Sequence, residues 1–220
     1  MNLKYLYLAP GGFTMPYTLG VCKFIKEHYD LDNYNFIGAS AGSWLSIYLA
    51  SDLFLDDYII HDYSKKFEDK GILYKWHNVC PFLIEEFGNS ITDLTFIKEK
   101  RVKVSLSSYS NKTIVNNIID DYEDLQQLFN LCTISSYIPV LSGLSVPKRN
   151  DIITFDGYFS EPDFKNYDIK LSISNSMFHR HFTLSDVIGK SKMNINELIN
   201  LGYYDSIICK DYLDNIFICY

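Results

Sequence analysis

Apolar and polar positions in the first fifty residues alternate between strand-like and helix-like patterns. Residues 4–9 form a short alternating stretch rich in Leu and Tyr, which predicts a strand, and a Pro-Gly-Gly sequence at residues 10–12 ends it. Apolar residues then recur at near-helical spacing over residues 16–29, a segment that begins with a proline suited to a first helical turn. Residues 34–37 predict a second strand and residues 43–50 a second helix. This alternation predicts an α/β fold with helices covering a parallel sheet.

The rest of the chain continues the mixture of helices and strands. The pattern predicts helices over residues 53–70, 81–87, 120–132 and 194–201 and strands over residues 100–107, 151–155 and 168–174. Asn194, with Glu197 three residues later, is a candidate cap of the last helix. No internal repeat and no Pro/Gly/Ser linker divides the sequence. We therefore predict a single domain over residues 1–220.

Composition narrows the class of protein. With 47% hydrophobic and 21% charged residues, the chain is predicted to be packed and globular. A net charge of −7 argues against nucleic acid as a partner and offers no polybasic attraction to anionic lipid. No apolar run is long enough to span a membrane and no signal peptide is recognised, so we expect a cytoplasmic protein. The five cysteines form no CxxC pair and are expected to be reduced thiols.

A GxSxG motif is the clearest chemical signal. Gly38-Ala39-Ser40-Ala41-Gly42 lies between the second predicted strand and the second predicted helix, the context in which this motif carries a nucleophile. Small residues, Gly38 and Gly42 above all, allow a sharp turn that presents the Ser40 hydroxyl at a helix N-terminus. The sequence therefore predicts Ser40 as a nucleophile. A glycine-lined helix start that merely packs closely is the alternative.

A serine nucleophile also needs an oxyanion site and a base. Gly11, Gly12 and Phe13 follow the first predicted strand, which in a parallel sheet ends beside the second. Their backbone N–H groups are candidates for the oxyanion site, although an ordinary Gly-Gly turn has the same sequence. Asp156 and Gly157 end an apolar strand that we expect to emerge at the same sheet edge as Ser40, so Asp156 is the candidate base. An Asp-Gly turn without catalytic function is the alternative.

Histidine is the more common base in serine hydrolases, and the chain has five. None has an informative neighbourhood in the sequence; they are His28, His61, His77, His179 and His181. A Ser-His-Asp hydrolase that uses His179 or His181 therefore stays open as an alternative.

Several segments resemble the patatin-like phospholipase family, most closely the branch that contains animal adipose triglyceride lipase. These are LAPGGFTMPYTLGV at residues 8–21, NFIGASAGS at 35–43 and FDGYF at 155–159. TISSYIPVLSG at residues 133–143 and LGYYDS at 201–206 also resemble family segments. The order of Gly-rich loop, GxSxG and Asp-Gly is more specific than any one of these motifs.

The resemblance implies a three-layer α/β/α fold with a mainly parallel sheet and a Ser-Asp dyad. Ser40 matches the family nucleophile, Asp156 matches the family aspartate, and Gly11, Gly12 and Phe13 match the oxyanion loop.

Three positions depart from the family pattern. Met15 stands where a further glycine is usual, many members have a basic residue near Thr14, and Tyr158 replaces a common second glycine after the aspartate. A catalytically silent lipid-binding or regulatory member of the family is therefore a further alternative.

The expected reaction is hydrolysis of a carboxylic ester through an acyl-enzyme. Ser40 attacks the carbonyl, Asp156 accepts its proton, and the N–H groups of Gly12, Phe13 and Ala41 hold the oxyanion. A carboxyl group with a pKa near 3.9 is a weak base, so Asp156 must be partly buried, and Phe155 and Tyr158 are expected to provide apolar surroundings. 

The expected substrates are acyl lipids, either phospholipid or neutral glyceride. Apolar loops, not charge, are expected to make a transient peripheral contact with a membrane or lipid droplet. No metal and no organic cofactor is implied, because no His/Cys/Asp cluster has the spacing of metal ligands.

Overall fold

The computed structural model describes residues 3–69, 76–139, 142, 145–172, 178, 181–188 and 194–217. The strands in these ranges are β1 (Lys4–Leu8), β2 (Tyr34–Ala39), β3 (Val102–Ser110), β4 (Thr113–Ile119), β5 (Lys148–Arg149), β6 (Ile152–Phe155) and β7 (Ile169–Leu171). The helices are α1 (Met15–His28), α2 (Ala41–Ala50), α3 (Asp57–Asp69), α4 (Trp76–Ser90), α5 (Thr95–Lys98), α6 (Leu125–Ser135), α7 (Leu184–Val187), α8 (Ile195–Ile208) and α9 (Lys210–Phe217). The predicted α/β class, a central sheet flanked by helices, is confirmed.

Most predicted elements are present, with shifted ends, and five helices and strands of the described residues were missed. The Asn194 side chain caps α8 by accepting hydrogen bonds from the N–H groups of Asn196 and Glu197, as the sequence predicted. Strands β4 and β5 and helices α5, α7 and α9 were not predicted. The end of the strand expected over residues 168–174 lies outside the described residues, as does residue 70 of the helix expected over 53–70.

The sheet combines a parallel centre with antiparallel additions. Neighbouring strands in the order β7, β1, β2 and β3 pair in parallel. Strands β4 and β6 both run antiparallel to β3, and β5 extends β6. The parallel centre agrees with the strand-helix alternation of the first fifty residues, since right-handed crossovers place such strands side by side.

Two strands meet end to end along one edge of β3. Strand β4 pairs with β3 from Val104 to Ser110, which occupies one edge over that whole length. The other edge is therefore shared: Ala39 at the end of β2 lies opposite Ser105, and Phe155 at the end of β6 lies opposite Ser107. Because β2 is parallel and β6 antiparallel to β3, their carboxyl ends face each other. The residue after each strand thus reaches the same point from opposite directions.

The two faces of the sheet are covered differently. A large cluster of buried side chains packs against the face that carries Leu6, Phe36 and Val104 and includes residues of α1, α2, α4, α6 and α8. A smaller cluster on the other face contains Tyr7 and Ile37, with Tyr5, Ile118 and Tyr167 packed against them. None of the helices in the described part of the chain is long and apolar enough to cross a membrane.

Lys26 on α1 holds the C-terminal end of α2. Its ammonium group donates to the backbone carbonyls of Tyr48, Ser51 and Leu53 at 2.5, 2.7 and 2.8 Å. These carbonyls lie at a helix C-terminus and just beyond it, where the orphan acceptors and the helix dipole both favour a cation. Burial lowers the pKa of Lys26 to about 8, and the charge of Asp52 acts in the opposite direction.

We predict that Lys26→Met lowers the free energy of unfolding by about 2–4 kcal/mol, because three carbonyls lose a charged donor. Lys23→Met is the matched control on the same helix. Lys23 forms an ion pair with Glu27 at 3.1 Å and lies 4.9 Å from the ring centre of Tyr203. Its loss is expected to cost about 1 kcal/mol or less. Urea unfolding of both variants at pH 7 measures the difference, and equal losses would contradict the capping role.

Candidate active site

Ser40 occupies a sharp turn between β2 and α2. Its backbone has φ 53° and ψ −126°, a conformation that costs a non-glycine residue about 1–3 kcal/mol and persists only when the surroundings enforce it. Gly42 is required here, because a Cβ at this position would overlap the carbonyl oxygen of Leu8 at the end of β1. A Cβ on Gly38 would likewise overlap the first turn of α2. Both glycines of the motif therefore allow the turn to close against its neighbours.

Ser135 holds the backbone of this turn. The N–H of Ser40 donates to the Ser135 hydroxyl at 2.8 Å, and that hydroxyl donates to the carbonyl of Ser105 on β3 at 2.8 Å. All three residues are buried. Sequence reasoning missed Ser135; the signal that could have found it is its position in the TISSYIP segment, which was noted without assigning it a role.

Asp156 contacts the Ser40 side chain directly. The Ser40 hydroxyl donates to Oδ2 of Asp156 at 2.8 Å, and the N–H of Tyr158 donates to Oδ1 at 2.7 Å. The side chain is fully buried. Gly157 lies so close to β3 that a Cβ on it would be 2.5 Å from the carbonyl oxygen of Ser105. The same carbonyl therefore contacts the supports of both candidate catalytic residues.

Burial makes Asp156 a stronger base than an aspartate in water. Desolvation raises its pKa to about 6, and the hydrogen bonds from Tyr158 and Ser40 partly oppose that rise. Within the described residues no cationic side chain forms an ion pair with it. Phe155 and Tyr158 were expected to provide apolar surroundings for Asp156, and the structure agrees for Phe155 only. Phe155 is buried, whereas the Tyr158 ring is 71% exposed and this residue contributes its backbone N–H instead.

The Gly-rich loop lies beside Ser40. Gly12 has φ 53° and begins a 3-10 turn over Gly12–Thr14 that leads into α1. The Thr14 hydroxyl donates to the carbonyl of Gly11 at 2.6 Å and fixes the loop. Gly12, Phe13 and Ala41 border a small cavity next to Ser40, and Ala41 is the first residue of α2, whose N–H has no acceptor within the helix. The structure thus brings the predicted oxyanion residues and Ser40 together.

A cleft of about 440 Å³ opens on the Asp156 side of Ser40. Ser40, Asp156 and the glycines of the loop line its floor. Large apolar side chains line its walls and remain exposed to solvent, namely Tyr158 at 71%, Phe159 at 43% and Leu184 at 75%. The cleft therefore combines the polar groups of Ser40 and Asp156 with exposed apolar side chains around them.

The histidines that the alternative mechanism needs are not bonded to the dyad in the described part of the chain. His181 lines the cleft but is exposed, and no hydrogen bond joins it to Ser40 or Asp156. His28 stacks on Phe24 and His61 is exposed on α3, while His179 lies outside the described residues, as does the side chain of His77.

Comparisons with known proteins give one distant structural similarity. No family model matches the sequence, and the search of curated proteins finds no significant match. The solved structure described as the crystal structure of VipD from Legionella pneumophila aligns with a TM-score of 0.47 and 12% identity. The alignment covers 96% of this chain and 67% of that one.

Ser135→Ala is expected to weaken the Ser40 turn, because the buried N–H of Ser40 and carbonyl of Ser105 both lose their partner. We predict a loss of stability of about 1–3 kcal/mol and a fall in kcat of about tenfold or more on a short ester, with KM little changed. Ser206→Ala is the control, since Ser206 is equally buried but donates to the carbonyl of Gly202 within α8. Steady-state ester hydrolysis and thermal unfolding of both variants measure the changes in kcat and in stability. Equal kcat values for the two variants would contradict the positioning role of Ser135.

Proposed function

We propose that this chain is a serine lipid acyl hydrolase related to patatin-like phospholipases. The observation that carries the proposal is the 2.8 Å hydrogen bond from the Ser40 hydroxyl to a fully buried Asp156. A serine in a strained strand-to-helix turn, bonded to a carboxylate whose pKa is raised to about 6, is the arrangement expected of an activated nucleophile. The narrower assignment to the adipose triglyceride lipase branch stays a prediction from sequence motifs.

The proposed mechanism has two steps. Ser40 attacks the ester carbonyl while Asp156 accepts its proton and then delivers it to the oxygen of the leaving alcohol. Asp156 next accepts a proton from water, which attacks the acyl-enzyme. Asp156 returns that proton to the Ser40 oxygen as the bond to the acyl carbon breaks and the acid is released. The N–H groups of Gly12, Phe13 and Ala41, at the Gly-rich loop and the N-terminus of α2, stabilise the negative charge on the carbonyl oxygen.

Acyl lipids are the proposed substrates. The exposed apolar side chains of Tyr158, Phe159 and Leu184 around the cleft support this class, because they match the hydrocarbon of a lipid surface better than a water-soluble ester. Contact with a membrane or lipid droplet through these side chains would be transient and peripheral. Phospholipid and neutral glyceride both satisfy this chemistry.

Substitution of the dyad tests the proposal. Ser40→Ala and Asp156→Asn are each expected to lower kcat/KM for a short nitrophenyl ester by about a thousandfold or more, because residues that act as one unit lose function together. His179→Gln and His181→Gln are expected to change it by less than about tenfold, since neither is required as a base in this mechanism.

Circular dichroism of each variant serves as the folding control. Loss of activity in a histidine variant, together with its survival in Asp156→Asn, would support the triad instead. A folded wild-type protein with no esterase activity and no labelling of Ser40 by a fluorophosphonate would favour the catalytically silent alternative.

The pH dependence provides a second test. Asp156 must be ionised to act as a base, so kcat/KM is expected to rise with pH and reach half its maximum near pH 6. An imidazole titrates close to this value, so the activity profile alone does not separate the dyad from a triad.

Stability as a function of pH tests the environment of Asp156 directly. The folded protein keeps a proton on Asp156 up to about pH 6, whereas the unfolded chain releases it near pH 3.8. The contribution of this group to stability is therefore greatest below pH 3.8 and is lost as the pH rises through 6. Asp156→Asn should be more stable than wild type at pH 7.5, by about 3 kcal/mol at most, and the difference should vanish near pH 4. Urea titrations at both pH values measure it; a less stable variant at pH 7.5 would contradict a buried, unpaired carboxylate.

A further inference from the structure

Two separate spaces meet at Ser40. On one side is the cleft that Asp156 lines. On the other side is a cavity of about 40 Å³ bordered by Ser40, Ala41, Trp44 and Cys80. Asp156 is absent from the described lining of this second cavity. Gly12 and Ser40 belong to both linings, so the candidate nucleophile stands at the boundary.

A third cavity adjoins the second one. It measures about 110 Å³ and lies among α1, α3, α4 and α8, with Leu19, Ile60 and Leu198 in its wall. Four apolar residues line both this deep cavity and the small one beside Ser40: Phe13, Met15, Val79 and Leu83. These four residues, the apolar constriction, separate the two spaces.

We propose that the deep cavity takes the distal part of the acyl chain and that the apolar constriction sets which chain lengths are accepted. This inference rests on the proposed function. The direction follows from the chemistry. When the bond from the carbonyl carbon to the alcohol oxygen breaks, Asp156 must deliver its proton to that oxygen, and it must afterwards activate the water that takes the same position. The alcohol therefore leaves on the Asp156 side, in the cleft, and the acyl chain extends the other way.

The deep cavity suits hydrocarbon. Its few polar groups already have partners within the protein: the hydroxyl of Ser64 donates to the carbonyl of Ile60 and to Asn196, and that of Tyr63 contacts the carbonyl of Glu86. The carboxylate of Asp186 accepts from the N–H and hydroxyl of Thr183. An acyl chain would therefore leave none of these groups newly unpaired, whereas a polar ligand would find few partners.

The volumes indicate where selection by length begins. A cavity needs roughly 10–15 Å³ on this measure to hold one water molecule. The small cavity of 40 Å³ thus accepts only the first few carbons of an acyl group, and in this proposal a longer chain extends past the constriction into the deep cavity. Short esters do not require the deep cavity, and long ones do.

The test compares nitrophenyl butyrate with nitrophenyl laurate, each as a monomer in solution, through the ratio of kcat/KM for laurate to that for butyrate. Leu198→Phe reduces the deep cavity and is expected to lower this ratio by about tenfold or more. Ile208→Phe is the matched control on the same helix, because Ile208 is 65% exposed, and it should leave the ratio unchanged. Leu83→Ala widens the constriction and should raise the ratio by about threefold or more.

A ratio that does not change in Leu198→Phe, or that changes equally in Ile208→Phe, would overturn the inference while leaving the proposed hydrolase function in place. If circular dichroism shows that Leu198→Phe is unfolded, Leu83→Ala decides: a raised ratio supports the inference and an unchanged one overturns it. Binding of dansyl-undecanoic acid to the Ser40→Ala protein gives a readout without catalysis. Loss of this binding in the combined Ser40→Ala and Leu198→Phe variant would support the inference, and equal binding would overturn it. This result does not depend on catalysis: if wild type hydrolysed neither ester, the proposed function would be refuted but the acyl-binding role of the deep cavity would still be tested.

Discussion

The meeting of β2 and β6 on one edge of β3 is the constraint on which the site depends. Neither strand can lengthen without colliding with the other, so each ends where the chain must turn. Ser40 and Asp156 are the first residues after those ends, and the carbonyl of Ser105 contacts a neighbour of each. That carbonyl accepts from the Ser135 hydroxyl, which holds Ser40, and it packs against Gly157, which follows Asp156. A shift of β3 would therefore move both side chains together and preserve the 2.8 Å contact between them.

Helix α2 holds Ser40 in its unfavourable backbone conformation. All ten of its residues are buried, so the helix is fixed by packing along its whole length. Its N-terminus is held by the approach of Gly42 to β1 and by the Ser135 hydroxyl, and its C-terminus by Lys26. An unfavourable backbone conformation at Ser40 and a carboxylate kept from water at Asp156 each reduce stability, and a helix anchored at both ends can tolerate them. The packing and the end contacts of α2 thus fix the position of the Ser40 hydroxyl.

The local parts of the site could be predicted from sequence, because each lies within a few residues of a strand end. An apolar run followed by small residues indicates a tight turn, which located Ser40, Asp156 and the Gly-rich loop. What the sequence could not indicate depends on contacts between distant segments. Ser135 is one serine among several and gains its role only because α6 passes beside β3. The half-exposed face of β4 gave no clear alternation. The exposure of Tyr158 follows from the 3-10 turn over Gly157–Phe159, which an Asp-Gly pair does not specify.

A carboxylate base changes what the site must stabilise. In the proposed mechanism the negative charge is present before the reaction, on Asp156, and proton transfer moves it to the carbonyl oxygen of the substrate. The site therefore holds one negative charge throughout, and the burial that penalises it on Asp156 is already present in the free enzyme. A histidine base would instead create a new pair of opposite charges in the same surroundings. Rate acceleration then depends on whether the N–H groups of the loop and the α2 N-terminus stabilise the charge better than the two donors to Asp156 do. Burial of Asp156 with just two such donors, Ser40 and Tyr158, in the described structure favours movement of the charge toward that helix end.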